Sequence, residues 1–172
     1  DIEDNKFDAI EALAHPLPNI VISEMLGIPP EDQTRFKDWS DNVASSLEPN
    51  RSQQELQVIE QSLESLHAYF DELIEKRRAD PQEDLVTVLC QAEEEGEKLT
   101  HQEPLVTLTL LLVAGNETTK NLIGNGLLAL LQNPAQMELL RKDSALVPLA
   151  VEELLRFDGP VQMDTRTALE DI

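Results

Sequence analysis

The chain has 172 residues, 41% of them hydrophobic, which suffices for one domain with a sizeable core or for a large piece of a longer polypeptide. Against 13 Lys and Arg stand 34 Asp and Glu, a net charge of −21 whose field repels phosphate backbones and anionic lipid, so no nucleic acid and no membrane surface is an expected partner. Four Phe, one Trp, one Tyr and six Gly leave little for stacking platforms, sandwiches or barrels, and a single cysteine, Cys90, allows neither an internal disulfide nor a zinc cluster, in keeping with a reducing cytoplasm.

The ten prolines fall mostly where helical periodicity stops or restarts. Phe7 to Ala14 and Pro18 to Leu26 read as two short apolar helices split by His15-Pro16, the second closed by Gly27. Pro30 to about Leu47 opens with Glu31 and Asp32, which suit the positive end of a helix dipole, and carries Phe36, Trp39 and Val43 on one face. From Gln53 to Arg78 the residues Leu56, Ile59, Leu63, Leu66, Phe70 and Leu73 recur in steps of three and four, one stripe of an amphipathic helix that packs on a core or serves as a partner surface. Asp84 to Ala92 predicts another short helix, followed by a solvated acidic loop at residues 93–97.

Thr100 and Glu103 have the spacing of a capping box, so a long helix is expected to follow and to run to about Gln132, roughly 48 Å at 1.5 Å per residue. It is apolar almost all round from Leu105 to Val113 and must pass through the middle of a protein, yet that run is too short to cross a bilayer, which takes roughly 18 apolar residues. Asn133-Pro134 ends it. A short helix to about Lys142 and another from Leu146 to Arg156 follow, the latter stopped by Gly159-Pro160, and Val161 to Ala168 reads as extended. Both ends look like cuts through a longer chain, so residues 1–172 are expected to form a single partial domain.

The anomaly is Ala114-Gly115-Asn116-Glu117-Thr118-Thr119, a polar cluster in the centre of the most hydrophobic helix. Gly in a helix interior costs about 1 kcal/mol relative to Ala, and buried Glu, Asn and Thr cost more unless paired or wetted. A missing side chain at Gly115 lets a flat ligand or an oxygen molecule approach the backbone. The Thr118 hydroxyl can bond the Ala114 carbonyl or turn away and open the helix locally, and with Glu117 beside it the pair can bring protons to a buried reaction centre. The plainer alternative is a polar helix face that happens to lie here. Glu153 and Arg156 stand three residues apart on one face, within pairing distance, although such pairs decorate many surface helices.

In this order the segments resemble the cytochrome P-450 family of haem-thiolate monooxygenases in its soluble bacterial form. Leu110 to Thr119, LLLVAGNETT, resembles the family's central helix with its Ala-Gly-x-(Asp/Glu)-Thr-(Thr/Ser) motif, and Val151 to Pro160, VEELLRFDGP, resembles the helix bearing its Glu-x-x-Arg. Pro16 to Asp32 and Lys76 to Thr100 are similar to the same branch. The resemblance implies a mainly α fold, the central part of the family's architecture with a long central helix and a short extended segment near the C-terminal end. It implies that Glu117 and Thr118 are the acid and alcohol that deliver protons to dioxygen, that Ala114 and Gly115 line the distal face of haem, and that Glu153 and Arg156 form a structural pair. It further implies that Arg166 meets a haem propionate and that Val161, Gln162 and Met163 approach the substrate. The full-length parent would insert one oxygen atom from O₂ into a small organic substrate, with electrons from a ferredoxin or flavodoxin partner supplied ultimately by a nicotinamide cofactor.

The family's iron ligand is a Cys in a glycine-rich loop near its C-terminus, and nothing like that loop occurs in these residues. Cys90 lies in a helical segment and reads as a small buried residue, so these residues are expected to supply no metal ligand and not to catalyse alone. Pro104 is unusual so close to the start of the central helix and is expected to shift its first turn. His15, His67 and His101 have no second His or Cys at ligand spacing and read as cap, turn or surface residues. A non-enzymatic helical adaptor, using the Leu56 to Leu73 stripe as its partner surface, is the alternative from another class.

Overall fold

The computed structural model describes residues 6–48, 50–94 and 102–163, and these form helices joined by short turns. Helix α1 spans Pro16–Met25 and α2 spans Gln33–Ala44, flanked by 3₁₀ turns at Pro30–Asp32 and Ser45–Leu47. Helices α3 (Gln53–Ala79), α4 (Leu85–Glu94) and the long α5 (Gln102–Gln132) follow. Helices α6 (Pro134–Lys142) and α7 (Val147–Phe157) complete the order. The elements expected from periodicity are therefore present, although α4 runs on to Glu94, into residues expected as loop, and two prolines act differently from expectation.

The first is at His15-Pro16, where a break was expected. Residues Ile10–Ala14 form a π-helical turn that runs directly into α1, and the His15 amide reaches the Ile10 carbonyl at 2.9 Å. Pro16 has no N–H to continue an α-helical ladder, so the chain changes register there without leaving the helix. The second is Pro104, which sits inside the first turn of α5, where no intrahelical N–H is required, and leaves the helix intact. The expected capping box at Thr100 and the extended reading of residues 164–168 fall outside the described residues, while Val161 to Met163 carry no regular structure.

A capping box does close the start of α3: the Glu55 amide donates to the Ser52 hydroxyl at 3.3 Å, and the Ser52 amide donates to Glu55 Oε2 at 2.7 Å. The Ser52 hydroxyl, the Ser52 amide and Arg51 together hold the Glu55 carboxyl down at about 2.

The core lies where α1, α2, α3, α4 and α5 converge. Leu26, Phe36, Leu66, Phe70, Val86, Leu108 and Leu112 are fully buried there, and Phe36 meets Phe70 edge to face with ring centroids 5.6 Å apart. Each such side chain contributes roughly 1.5–3 kcal/mol through burial. Along the α3 stripe, Leu66, Phe70 and Leu73 are buried, Ile59 and Leu63 are half-buried and only Leu56 is exposed. The stripe is thus mostly consumed by the molecule's own core.

Where α1 ends, Gly27 adopts φ +69°, in the left-handed region that favours glycine, and a Cβ there would run into the Asp84 carboxylate and the Arg77 guanidinium. Arg77 Nε donates to Asp84 Oδ2, and its Nη2 donates to the Gly27 carbonyl at 3.0 Å. Asp84 also accepts from the Thr87 amide at 2.8 Å. Burial works to raise the Asp84 pKa, but the bonds from Thr87 and Arg77 outweigh it and hold the carboxyl below the usual range.

Gly27→Ala is expected to destabilise the full-length protein by roughly 1–3 kcal/mol in urea unfolding, because backbone strain and the displaced Arg77–Asp84 pair act together. A carboxylate whose pKa is depressed by folding stabilises while ionised. The stability gap between the parent and Asp84→Asn is therefore expected to be full above the ordinary carboxylate pKa of about 4 and to shrink as pH falls through the lower folded value. Unfolding curves taken across pH 2–6, a window of about 2 units either side of that ordinary pKa, check the sign.

Candidate functional site

The polar cluster occupies the middle of α5, and the helix assigns its residues to different directions. Leu105, Leu108, Leu112 and Asn116 recur in steps of three and four and are all buried against the core. On the opposite side Val106 is 60% and Leu110 64% exposed, and Ala114 continues that open apolar face with nothing larger than a methyl group. Gly115 points elsewhere: a Cβ on it would lie 3.5 Å from Ile22 Cδ1 of α1, so its missing side chain gives α1 ordinary packing room. Ala114 and Gly115, which the resemblance places along the distal face of haem, point in different directions from the helix.

Glu117 and Thr118 are half-buried. The Thr118 hydroxyl donates to the Ala114 carbonyl at 2.5 Å, the closed alternative of the two open to it. Lys120 Nζ lies 2.5 Å from Glu117 Oε2, and Asn121 Nδ2 donates to Glu117 Oε1 at 3.1 Å. Acid and alcohol are adjacent, but in this arrangement each is bonded within its own helix. Lys120 and Asn121 were not singled out from the sequence, although their spacing of three and four from Glu117 is the signal that finds such partners.

Asn116 is 1% exposed. Its Nδ2 donates to Ser40 Oγ at 3.3 Å and to Asp41 Oδ1 at 3.4 Å, both on α2. His15 Nε2 lies 3.1 Å from Asp41 Oδ2. These partners are distant in sequence, and no spacing rule announces them.

Glu153 and Arg156 pair as expected, with a fork of two bonds at 2.6 and 2.7 Å. Both side chains are more than half exposed, and the bonds from Arg156 hold the Glu153 carboxyl below its ordinary range. Gly126 lets α7 approach α5 closely, since a Cβ there would meet Leu154 Cδ1 at 2.9 Å. Between α5, α6 and α7 opens a cleft of about 490 Å³ lined by Leu130, Leu139, Leu149, Leu154 and Phe157, with Glu153 at its edge. Asn125 Nδ2 donates to the Asp158 carbonyl at 3.2 Å, tying the end of α7 to α5. Beyond it Val161, Gln162 and Met163 are exposed, and among the described residues no hydrogen bond joins them to Glu117 or Thr118. Arg166 lies outside the described residues.

Among the described residues no group of three or more His, Cys, Asp or Glu could hold a metal ion, and no helix is long and apolar enough to cross a membrane. Cys90 is 8% exposed, and its Sγ lies 3.9 Å from the Ile74 carbonyl, within the core.

Residues 6–172 match the family model described as Cytochrome P-450. The chain is 46% identical over 166 residues to cytochrome P-450 CYP107DY1 of Priestia megaterium, covering 96% of this chain and 40% of that protein. It is 44% identical over 170 residues to the polyketide biosynthesis cytochrome P-450 PksS of Bacillus subtilis, covering 98% and 41%. The crystal structure of P450BioI in complex with hexadec-9Z-enoic acid ligated acyl carrier protein superimposes with a TM-score of 0.89 at 40% identity, over 98% of this chain and 43% of that one. The chain belongs to the cytochrome P-450 family, is mainly α as its relatives are, and spans less than half the length of these relatives.

Because a buried thiol is shielded from reagents, Cys90 of the folded full-length protein is expected to resist alkylation and to label only on unfolding. Peptide mapping by mass spectrometry after iodoacetamide treatment, with and without urea, reads this directly.

Proposed function

We propose that the chain is the central helical part of a haem-dependent monooxygenase that hydroxylates a small organic substrate with O₂. The observation that carries this reading is the half-buried Glu117–Thr118 pair, set one turn beyond an open apolar face in the middle of the most hydrophobic helix. That face, formed by Val106, Leu110 and Ala114, would suit the flat apolar surface of a haem, with nothing larger than a methyl group at Ala114. Cys90 is buried among apolar residues and would not supply a thiolate ligand to the haem. When bound, the haem supplies the iron centre at which O₂ is activated.

The chain's own residues supply position and protons. Val106, Leu110 and Ala114 exclude water from one side of the reaction space. Thr118 reaches that space only by giving up its bond to the Ala114 carbonyl; the hydroxyl then donates a proton and recovers one from its neighbourhood. Glu117 is the acid that connects this hydroxyl to solvent, and its exchange of Lys120 and Asn121 for water is what makes the proton available. Glu153 and Arg156 act as a structural pair at the cleft between α5, α6 and α7, ready for a third charged group. Arg166 on a haem propionate, and Val161, Gln162 and Met163 against the substrate, complete the assignment.

As partners we infer a ferredoxin or flavodoxin donating electrons that derive from a nicotinamide cofactor, with the protein working in the cytoplasm. The relatives' names support a substrate drawn from small organic metabolites, one of them being named for polyketide biosynthesis.

Thr118→Ala in the full-length protein is expected to make peroxide, rather than product, the main fate of the electrons consumed, because a positioned proton donor contributes roughly 10²–10⁴-fold to its step. Product and peroxide measured against nicotinamide consumed decide the point; coupling equal to that of the parent would refute the proton role.

A further inference from the structure

Asn116 faces away from Ala114 and into the core. An amide at that depth costs free energy unless its donors and acceptor are met. Both N–H groups are used, on Ser40 Oγ and Asp41 Oδ1, but Oδ1 is buried without a hydrogen-bond partner. Turning the amide over would place that oxygen against the Asp41 carboxylate, so the charge on Asp41 decides which atom is left orphaned. Asp41 is held in turn by His15 Nε2 at 3.1 Å and by Lys37 Nζ at 3.4 Å. The His15 carbonyl accepts from Asn19 Nδ2 at 3.2 Å, and Asn19 Oδ1 is a second buried oxygen without a partner. Three helices, α1, α2 and α5, thus meet at a polar joint whose α5 member is next to Glu117 in sequence.

Core packing alone does not ask for this arrangement, since apolar residues of similar volume often stabilise as well as a buried polar group or better. What an amide adds is direction: a hydrogen bond fixes the rotation of a helix about its own axis, which a leucine in a greasy socket leaves softer. The bonds at 3.3 and 3.4 Å hold the buried side of the turn whose other flank carries Glu117 and Thr118.

We propose that Asn116 and Asp41 are positioning residues: through their contact, α2 sets the orientation of the α5 turn from which Glu117 and Thr118 deliver protons. The inference rests on the proton-delivery reading above and adds to it the element that holds the pair in place.

The test is an exchange of the two groups in the full-length, haem-loaded protein. N116D sets two carboxylates against each other; the double variant D41N/N116D restores a donor–acceptor pair with the net charge of the parent. Amide hydrogen exchange of residues 115–120 and the peroxide share of consumed electrons are read together with KM. N116D is expected to accelerate that local exchange by about tenfold and to raise the peroxide share, with KM within about twofold, because a hydrogen bond to a charged group of this kind is lost. The double variant is expected to bring both readouts back. If N116D does not fold, Asn116→Ala, which removes the bond without repulsion, is expected to show the same two losses.

Parent-like exchange in the single variant that folds, or failure of the double variant to recover, overturns the proposal. A Thr118→Ala control separates the two readings. If it uncouples while the position-116 variant does not, the positioning role falls and proton delivery stands; if Thr118→Ala remains coupled, proton delivery falls and the exchange data alone decide the joint.

Discussion

The structure depends on clothing one rod. Helix α5 is 31 residues long and buries Leu105, Leu108 and Leu112 against α1, α2, α3 and α4. Burial of such side chains contributes roughly 1.5–3 kcal/mol each. The same face then carries Asn116, whose unpartnered carbonyl oxygen costs about 1–3 kcal/mol. The leucines therefore offset the amide with margin, and α5 tolerates a polar turn at its centre because the apolar residues before it fix the helix in place. Neighbouring elements follow from that constraint: α1 comes close enough for Ile22 to pack over Gly115, and α2 presents Ser40 and Asp41 to the buried Asn116 amide.

Two kinds of fastening divide the work. Apolar contacts such as those of Leu108 and Leu112 in the core are non-directional and set how close the helices lie. Polar contacts set angle and register: the Asn116 joint on α2, the Asn125 bond to the end of α7, and the forked Glu153–Arg156 pair within α7. Polar fastenings of the same kind also hold the Arg77–Asp84 corner to the Gly27 carbonyl, away from the polar turn of α5. Under the proton-delivery reading proposed above that division has a use, since a pair of side chains on a helix is only as well aimed as the helix itself.

Much of this was legible in the residues. Long periodic stripes delimit α3 and α5, and Asn133-Pro134 stops α5 where the structure ends it, because proline cannot extend a helix already under way. The pairing of Glu153 with Arg156 follows from helical geometry alone. His15-Pro16 marks a boundary without a gap: the π-helical turn Ile10–Ala14 passes straight into α1, whose first residue is Pro16, where a missing N–H costs no intrahelical bond. The Ser52–Glu55 capping box carried its signature openly, and the contacts of Glu117 with Lys120 and Asn121 were implied by spacing. The partners of Asn116 were not, since Ser40 and Asp41 lie 76 and 75 residues away, and one sequence without covariation carries no sign of which distant residue a buried amide will meet.

The double engagement of Arg77 bears on how the molecule comes together in time. Its carboxylate partner is only seven residues away, while the Gly27 carbonyl is 50 residues distant. Closing the short loop between α3 and α4 takes about 10–100 ns, whereas the long one requires α1, α2 and α3 to have gathered. Asp84 can thus capture and aim the guanidinium first, so that the later arrival of α1 finds a donor already oriented and loses less entropy on docking. A local corner formed early becomes the latch on which a remote helix is hung.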